Sequence, residues 1–320
     1  IQYNELYMNI TLRPVSELFT IRDVNLPEYN YPRISPNFNV SQHHFYRFLQ
    51  TPVEVTESTL IMNYPDKNTR WNADIHLMAN YCFLTDDEAR IFAGDEQKYL
   101  IKEVHEHRFP NITGSRKVQL DSFGLVSNYM FLFQRTDVGL RNEWNNYTNW
   151  AYSHIPYQLK FTSNINSVQY NTGDYQTDNR KEILTNLGII LDGDFRENTM
   201  PEGVYNYLEK YVRTGGSGMD PEGLYVYNFC LNTDPFNLQP DGAINMSKFS
   251  KVELQFTTYV PTVDPSAAYQ IICDPVTGAT IGTVKPVFQL YDYNFDLRVY
   301  EERYNMVTFI GGNVGLMNAR

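Results

Sequence analysis

The chain has 320 residues, 42% of them hydrophobic and 15% aromatic, and a formal net charge of −11 with no cluster of Lys and Arg. That balance excludes a surface made to hold nucleic-acid phosphates, which needs concentrated positive charge. No stretch approaches the roughly 18–20 apolar residues of a membrane span, so a soluble protein is expected, with enough chain for one large core or two ordinary ones.

Abundant Tyr (25) and Phe (19) favour twisted sheets over helical bundles. The chain opens in a strand pattern, with Leu6, Met8, Ile10 and Leu12 on one face and Tyr7, Asn9, Thr11 and Arg13 on the other. With no initiator Met and no visible signal peptide, the sequence reads as N-terminally incomplete. Residues 20–57, rich in Pro and Asn, read as a long loop, and a strand is predicted near 58–64. Ile75, Leu77, Ala79, Tyr81 and Phe83 form one face of another strand. Thr85 is placed to cap a helix, with Glu88 completing a capping box before ARIFAG.

Further strands are predicted at 97–104, 116–121, 126–135 and 155–163, then a polar loop over 164–182. A second helix is predicted from Pro201 to Val212, with Thr199 as its cap and Gly215-Gly216 beyond its end. Strands at 224–232, 251–260, 284–292, 294–301 and 303–310 complete the chain. Nothing alternates helix with strand as a parallel sheet would, so the expected fold is all-β, two antiparallel sandwiches in tandem with a few short helices in the loops. His105-Glu106-His107 followed by Pro-Asn-Ile-Thr-Gly reads as a strand end and a turn. This divides the chain into residues 1–105, the later part of a first β domain, and 106–320, a complete second one.

Chemistry is sparse. His105 and His107 would share one face of a strand, a geometry open to a metal, yet no third Cys or His ligand is near in sequence. His43-His44 lies in a polar loop, Ser153-His154 has no partner Asp, and no G-x-S-x-G elbow exists. Asp192-Gly193-Asp194 lacks the further oxygen ligands of a calcium loop and reads as a turn. Gly215, Gly216 and Gly218 follow a helix rather than precede one, so they are misplaced for phosphate binding. No catalytic, cofactor-binding or metal site is therefore assigned, and no cofactor is expected. Cys82, Cys230 and Cys273 read as reduced core thiols of an intracellular protein. Sequons occur at Asn9, Asn39, Asn111, Asn146 and Asn245. Of these, Asn39, Asn111 and Asn146 are kept as candidate glycosylation acceptors, although a chain without a secretory signal is expected to leave them unmodified.

The most specific stretch is Gln239-Pro-Asp-Gly-Ala-Ile-Asn-Met-Ser247, set between two alternating segments. Pro240 fixes φ for a turn, Gly242 permits backbone conformations closed to other residues, and Asn245 and Ser247 can tie the turn to neighbouring backbone. With its surroundings, GLYVYNFCLNTDPFNLQPDGAINMSKFS, this stretch resembles the second jelly roll of the major capsid proteins of nucleocytoplasmic large DNA viruses. That family has a V-Y-S/N-F strand, then Q-P-S-G, then N-x-S-R/K. Gln239, Pro240, Gly242, Asn245, Ser247 and Lys248 match, and Asp241 stands where Ser is usual.

NADIHLMANYCFLTDDEARIFAGDEQKYLIKEV and ILDGDFRENTMPEGVYNYLEKYVRTGG also resemble family segments, the latter with Phe195-Arg196 in reversed order. VYEERYNMVTFIGGNVGLMNAR resembles the closing strand and Gly-rich C-terminus, with Gly311 and Gly312. The ICDPVTGATIGTVKP insertion and the EERYN tail resemble those of mimivirus-like giant or large algal viruses. The resemblance implies a tandem double jelly roll, incomplete at the N-terminus in its first barrel. It further implies a non-enzymatic virion shell protein, a homotrimer forming pseudo-hexagonal capsomers that tile an icosahedral capsid above an internal membrane. Implied partners are other copies of the chain, minor capsid or penton proteins and inner membrane-associated viral proteins, with assembly in host cytoplasm and no direct contact with nucleic acid. Alternatives are a transient double-jelly-roll scaffold, a jelly-roll carbohydrate-binding module using Trp144 and Trp150, and, more remotely, a cupin-type enzyme, which would need a His-rich cluster.

Overall fold

Eight principal strands, most of them with alternating apolar and polar residues, are numbered here in chain order. They are β1 (Gln97–Ile112), β2 (Ser115–Leu120), β3 (Leu125–Arg135), β4 (Leu184–Leu191), β5 (Asp194–Pro201), β6 (Leu224–Asn228), β7 (Val252–Thr258) and β8 (Phe295–Ile310). The structure, a computed structural model, describes residues 7–22, 33–34, 36–37, 39, 43, 76–141, 143–149, 180–214, 222–233, 239–260, 270–273, 275–278, 280–284 and 293–318. The predicted strands at 58–64 and 155–163, most of 284–292, the polar loop of 164–182 up to residue 179, His44, Ser153-His154 and Trp150 lie outside the described residues.

All principal pairings are antiparallel. One sheet has the order β1-β8-β3-β6 and the other β2-β7-β4-β5. The chain changes sheet at every step except the β4–β5 hairpin, whose turn residues Asp192 and Gly193 have φ of 50° and 99°. Two four-stranded sheets wound in this order are a jelly roll. Short pieces extend it: Ile244–Asn245 pairs with the start of β3, Asn313–Leu316 with the end of β8, and Gln270–Cys273 with Thr280–Val284 as a hairpin between β7 and β8.

The inward faces make one core. Phe295, Leu297 and Val299 of β8 meet Tyr129, Phe131 and Phe133 of β3 on one side, with Leu187 and Ile189 of β4 and Leu254 and Phe256 of β7 opposite. Phe133 and Phe256 contact edge to face across the sheets at 5.3 Å, and Phe131 stacks on Tyr225 at 5.4 Å. Each such side chain contributes about 1.5–3 kcal/mol by leaving water, and Tyr205 of a helical segment joins the core against Phe131.

Helices are short. In α1 (Asp86–Gly94) the Thr85 hydroxyl accepts from the Glu88 amide and the Glu88 carboxylate accepts from the Thr85 amide, the reciprocal capping box read from sequence. A one-turn helix, α2 (Val138–Arg141), follows β3. The second predicted helix is present, helical from Glu202, with a π-helical turn over Val204–Leu208 that runs into α3 (Glu209–Arg213). Thr199 and Pro201 are not its cap and first turn, because β5 continues through both. Proline is tolerated at the end of an edge strand, where its missing N–H costs nothing.

Other expectations also change. Predicted strands 294–301 and 303–310 are one continuous strand, β8, with a register shift between Glu302 and Arg303 on its pairing with β3. Residues 76–84 carry strand alternation yet form no strand, and Leu77, Tyr81 and Phe83 are exposed. Residues 7–14 are likewise irregular, with Tyr7, Met8, Ile10 and Leu12 exposed. A strand needs partner backbone, and neither segment has it among the described residues. Cys82 lies in this exposed stretch rather than in a core, whereas Cys230 is buried. The division drawn at 105 falls inside β1, which begins at Gln97 and pairs with β8 from end to end. The polar His105-Glu106-His107 sequence is an in-and-out alternation along that strand.

Candidate functional site

Between β6 and β7 the chain must leave one sheet and enter the other, and residues 239–249 make the passage. Gln239 and Pro240 are exposed. The Asp241 carbonyl accepts from the Leu231 amide at 3.3 Å, drawing the strand exit and the turn together. Gly242 has φ of +121°, and a side chain there would have room, its first carbon lying 3.7 Å from Cys230 Cα. Conformation rather than space therefore demands glycine.

Asn245 and Ser247 then fasten the corner to the turn before β3. The Asn245 side chain accepts from the Ser247 amide at 3.1 Å, and the Ser247 hydroxyl accepts from the Gly124 amide at 2.9 Å. The Gly124 carbonyl accepts from the Met246 amide at 2.8 Å, while the Met246 side chain is fully buried in the core. A corner of one sheet is thus pinned to a turn that lies more than a hundred residues earlier. Ser247→Ala should lose about 1–2 kcal/mol by orphaning the Gly124 amide, and Gly242→Val about 1–3 kcal/mol by backbone strain. Chemical denaturation of both variants checks this; a midpoint equal to wild type for either would deny that residue its part.

Gly311 and Gly312, with φ of 56° and 85°, form a two-residue turn from β8 into Asn313–Leu316. They lie on a different hairpin from the 239–247 corner. Of the sequon residues, Asn39 is exposed with its amide bonded to Asn37 Oδ1 at 3.0 Å, and Asn111 is exposed at φ of 56°. Asn146 is 1% exposed. Its amide donates to Glu143 at 2.9 Å and its carbonyl accepts from the Thr148 hydroxyl at 2.8 Å. A glycan on that nitrogen would require the loop to open.

Trp144, considered as a sugar-stacking face, is already engaged. The Arg13 guanidinium lies 3.6 Å from its ring centre and its indole N–H donates to the Glu17 carbonyl at 2.7 Å. His43 is buried and accepts from the Asn37 amide. His105 Nε2 lies 3.4 Å from Glu103, and His107 Nε2 lies 3.7 Å from Glu301. Among the described residues, no group of three His, Cys, Asp or Glu side chains is disposed to hold a metal.

Sequence reasoning missed a buried polar cluster. Glu301 and Arg303, on the inward face of β8, are 0% and 3% exposed and hydrogen-bonded to each other. Arg303 stacks on Phe123 at 3.9 Å, and Ser122 bonds the Tyr129 hydroxyl at 3.0 Å beside them. Burial is the largest influence on the Glu301 carboxyl and pushes its pKa up. His107, Ser122 and Arg303 together outweigh it and hold the value below 4.5. The signal was in the sequence: the charges fall on the same parity as Phe295, Leu297 and Val299.

The architecture and the sequence agree on a family. The profile of the large eukaryotic DNA virus major capsid proteins matches residues 88–315. The chain belongs to this family. Among curated proteins none matches. Among solved structures, the PBCV-1 virus capsid has 23% identity and a TM-score of 0.52, over 74% of this chain and 55% of that one. A PBCV-1 crystal structure fitted into a reconstruction of the virophage Sputnik has 23% identity and a TM-score of 0.53 over the same shares. The Faustovirus major capsid protein has 13% identity, covering 70% of this chain and 36% of that one, with a TM-score of 0.43. The chain thus spans about half the length of the PBCV-1 structures it matches. At these identities the likeness concerns the fold, and the family's solved members are double jelly-roll proteins.

Proposed function

We propose that this chain is the shell-forming subunit of a large DNA virus capsid, a structural protein of the virion without catalytic activity. The observation that carries the reading is the complete eight-stranded jelly roll, built from the segment that the family profile matches. In this reading that unit is the second of two side-by-side barrels, and residues ahead of it belong to the first. Three copies form a pseudo-hexagonal capsomer, capsomers tile an icosahedral shell assembled in host cytoplasm, and minor capsid or inner membrane-associated proteins contact its rim and inner surface. The 239–247 corner and the Gly311-Gly312 turn serve as staples of the barrel, not as binding loops.

Light scattering and negative-stain imaging of the purified protein test this. The expected species has three times the chain mass and a pseudo-hexagonal outline. A monomer at all concentrations would overturn the capsomer reading, and absence from purified mature virions would turn it into that of a transient scaffold.

A further inference from the structure

Jelly rolls are closed by their own sheets, so a helix laid on one needs its own reason to be held. The helical segment of residues 204–213 is fixed from within. Tyr205 is fully buried and donates its hydroxyl to the Leu187 carbonyl at 2.7 Å, and Asn206 is 1% exposed. The Glu209 carboxylate accepts from the backbone and side-chain amides of Asn228 at 3.2 and 3.0 Å. Past the helix end, the Arg213 carbonyl accepts from the Thr233 amide at 3.0 Å.

The outward side of this rigid segment is apolar. Tyr207, Leu208, Tyr211 and Val212 are 54%, 55%, 80% and 60% exposed, and they recur at the i, i+4 spacing of one helix face. Leu231, 78% exposed, lies close in sequence to Thr233, which the end of the helix binds. At about 200 Å² for a whole aromatic side chain, the face leaves on the order of 500 Å² open. That is in the upper part of the roughly 300–600 Å² of the largest patch on a typical monomer, a patch that is often functional, and it supplies most of the roughly 800 Å² per partner of a stable interface.

We infer that this face is a subunit contact, and that its occupant is a second copy of the same chain. The inference rests on the capsomer reading, since a chain that builds a shell must bury part of its own surface against itself. Tyrosines on a pre-ordered helix suit such a contact, because little freedom is lost on binding and the hydroxyls keep partners in a wet interface.

The test compares wild type, the double variant Tyr207→Asp/Tyr211→Asp and, as control, Val276→Asp at the exposed tip of the Gln270–Cys273/Thr280–Val284 hairpin. Circular dichroism establishes that each is folded, and light scattering across a dilution series reads assembly. The double variant should need at least about tenfold more protein for half assembly, and the control should match wild type. A folded double variant that assembles at the wild-type concentration overturns the contact while leaving the capsomer reading standing. A wild type that never assembles overturns both. As a variant-independent readout, Tyr211 is replaced by p-benzoylphenylalanine and irradiated. A covalent species of twice the chain mass supports the contact, and cross-links confined within one chain overturn it.

Discussion

Gly223→Ala is expected to cost about 3–5 kcal/mol, the upper part of the sum of a left-handed backbone penalty of about 1–2 kcal/mol and an overpacking term of about 1–3 kcal/mol. At the start of β6, Gly223 has φ of +85°, and a methyl group there would lie 2.2 Å from the Tyr147 carbonyl oxygen and 2.9 Å from its carbon. Those atoms are backbone and cannot swing aside. The loop that carries them is held on both sides: the Trp144 carbonyl accepts from the Gln134 side chain at 2.8 Å, and the Asn149 amide donates to the Lys181 carbonyl at 2.7 Å. Relief must therefore come from moving β6 or that loop, and both line the core. Gly193→Ala is the matched comparison, because φ there is +99° but the space is open, leaving only the backbone penalty of about 1–2 kcal/mol. Thermal unfolding should place Gly223→Ala roughly 6–20 °C below wild type, at 2–4 °C per kcal/mol for a domain of this size. Equal melting temperatures for the two variants would show that the Tyr147 contact relaxes freely.

What sequence revealed about this fold follows the range of the forces involved. The α1 capping box is a contact between residues three apart, so Thr85 and Glu88 were enough to place it. Strands β1, β2, β3, β6, β7 and β8 have regular alternation, or aromatic and β-branched runs, and were located to within a few residues, apart from the extension of β1 to Ile112. β4 and β5 were not located. LTNLGIIL is apolar on both parities beyond Asn186, and β5 exposes most of its residues, so neither carries a clean period of two. The exposed segment 76–84 is the converse case, alternation without backbone partners. Pro240, Gly242, Asn245 and Ser247 were singled out as turn chemistry, but their anchor, Gly124, lies in a sequence-remote turn that only the fold brings near. The same distance hid Arg303 on Phe123, although the inward parity of Glu301 and Arg303 was visible.

That buried pair makes the second large prediction. Arg303→Met should cost about 3–5 kcal/mol, because it strands the fully buried Glu301 carboxylate without its hydrogen-bonded cation. His107, 3.7 Å away, and Ser122 still favour the ionised carboxylate, but neither supplies the permanent charge of the guanidinium. The double variant Glu301→Leu/Arg303→Met should be more stable than Arg303→Met alone, since it removes the charge that was stranded, and the double-mutant cycle measures that coupling. The pH dependence gives an independent check. A carboxyl held below 4.5 in the folded state contributes stability that is present above 4.5 and lost as pH falls through its lower folded value. Wild-type stability should therefore fall steeply in acid below about pH 4.5, and the double variant should lack this part of the slope. Arg303→Met removes one of the influences that hold the Glu301 value down, so the folded value moves up toward the unfolded one and this part of the acid loss should be smaller than in wild type. If all three proteins lose stability with the same slope over that range, Glu301 is not ionised in the fold, and the cluster is a neutral hydrogen-bonded group rather than an ion pair.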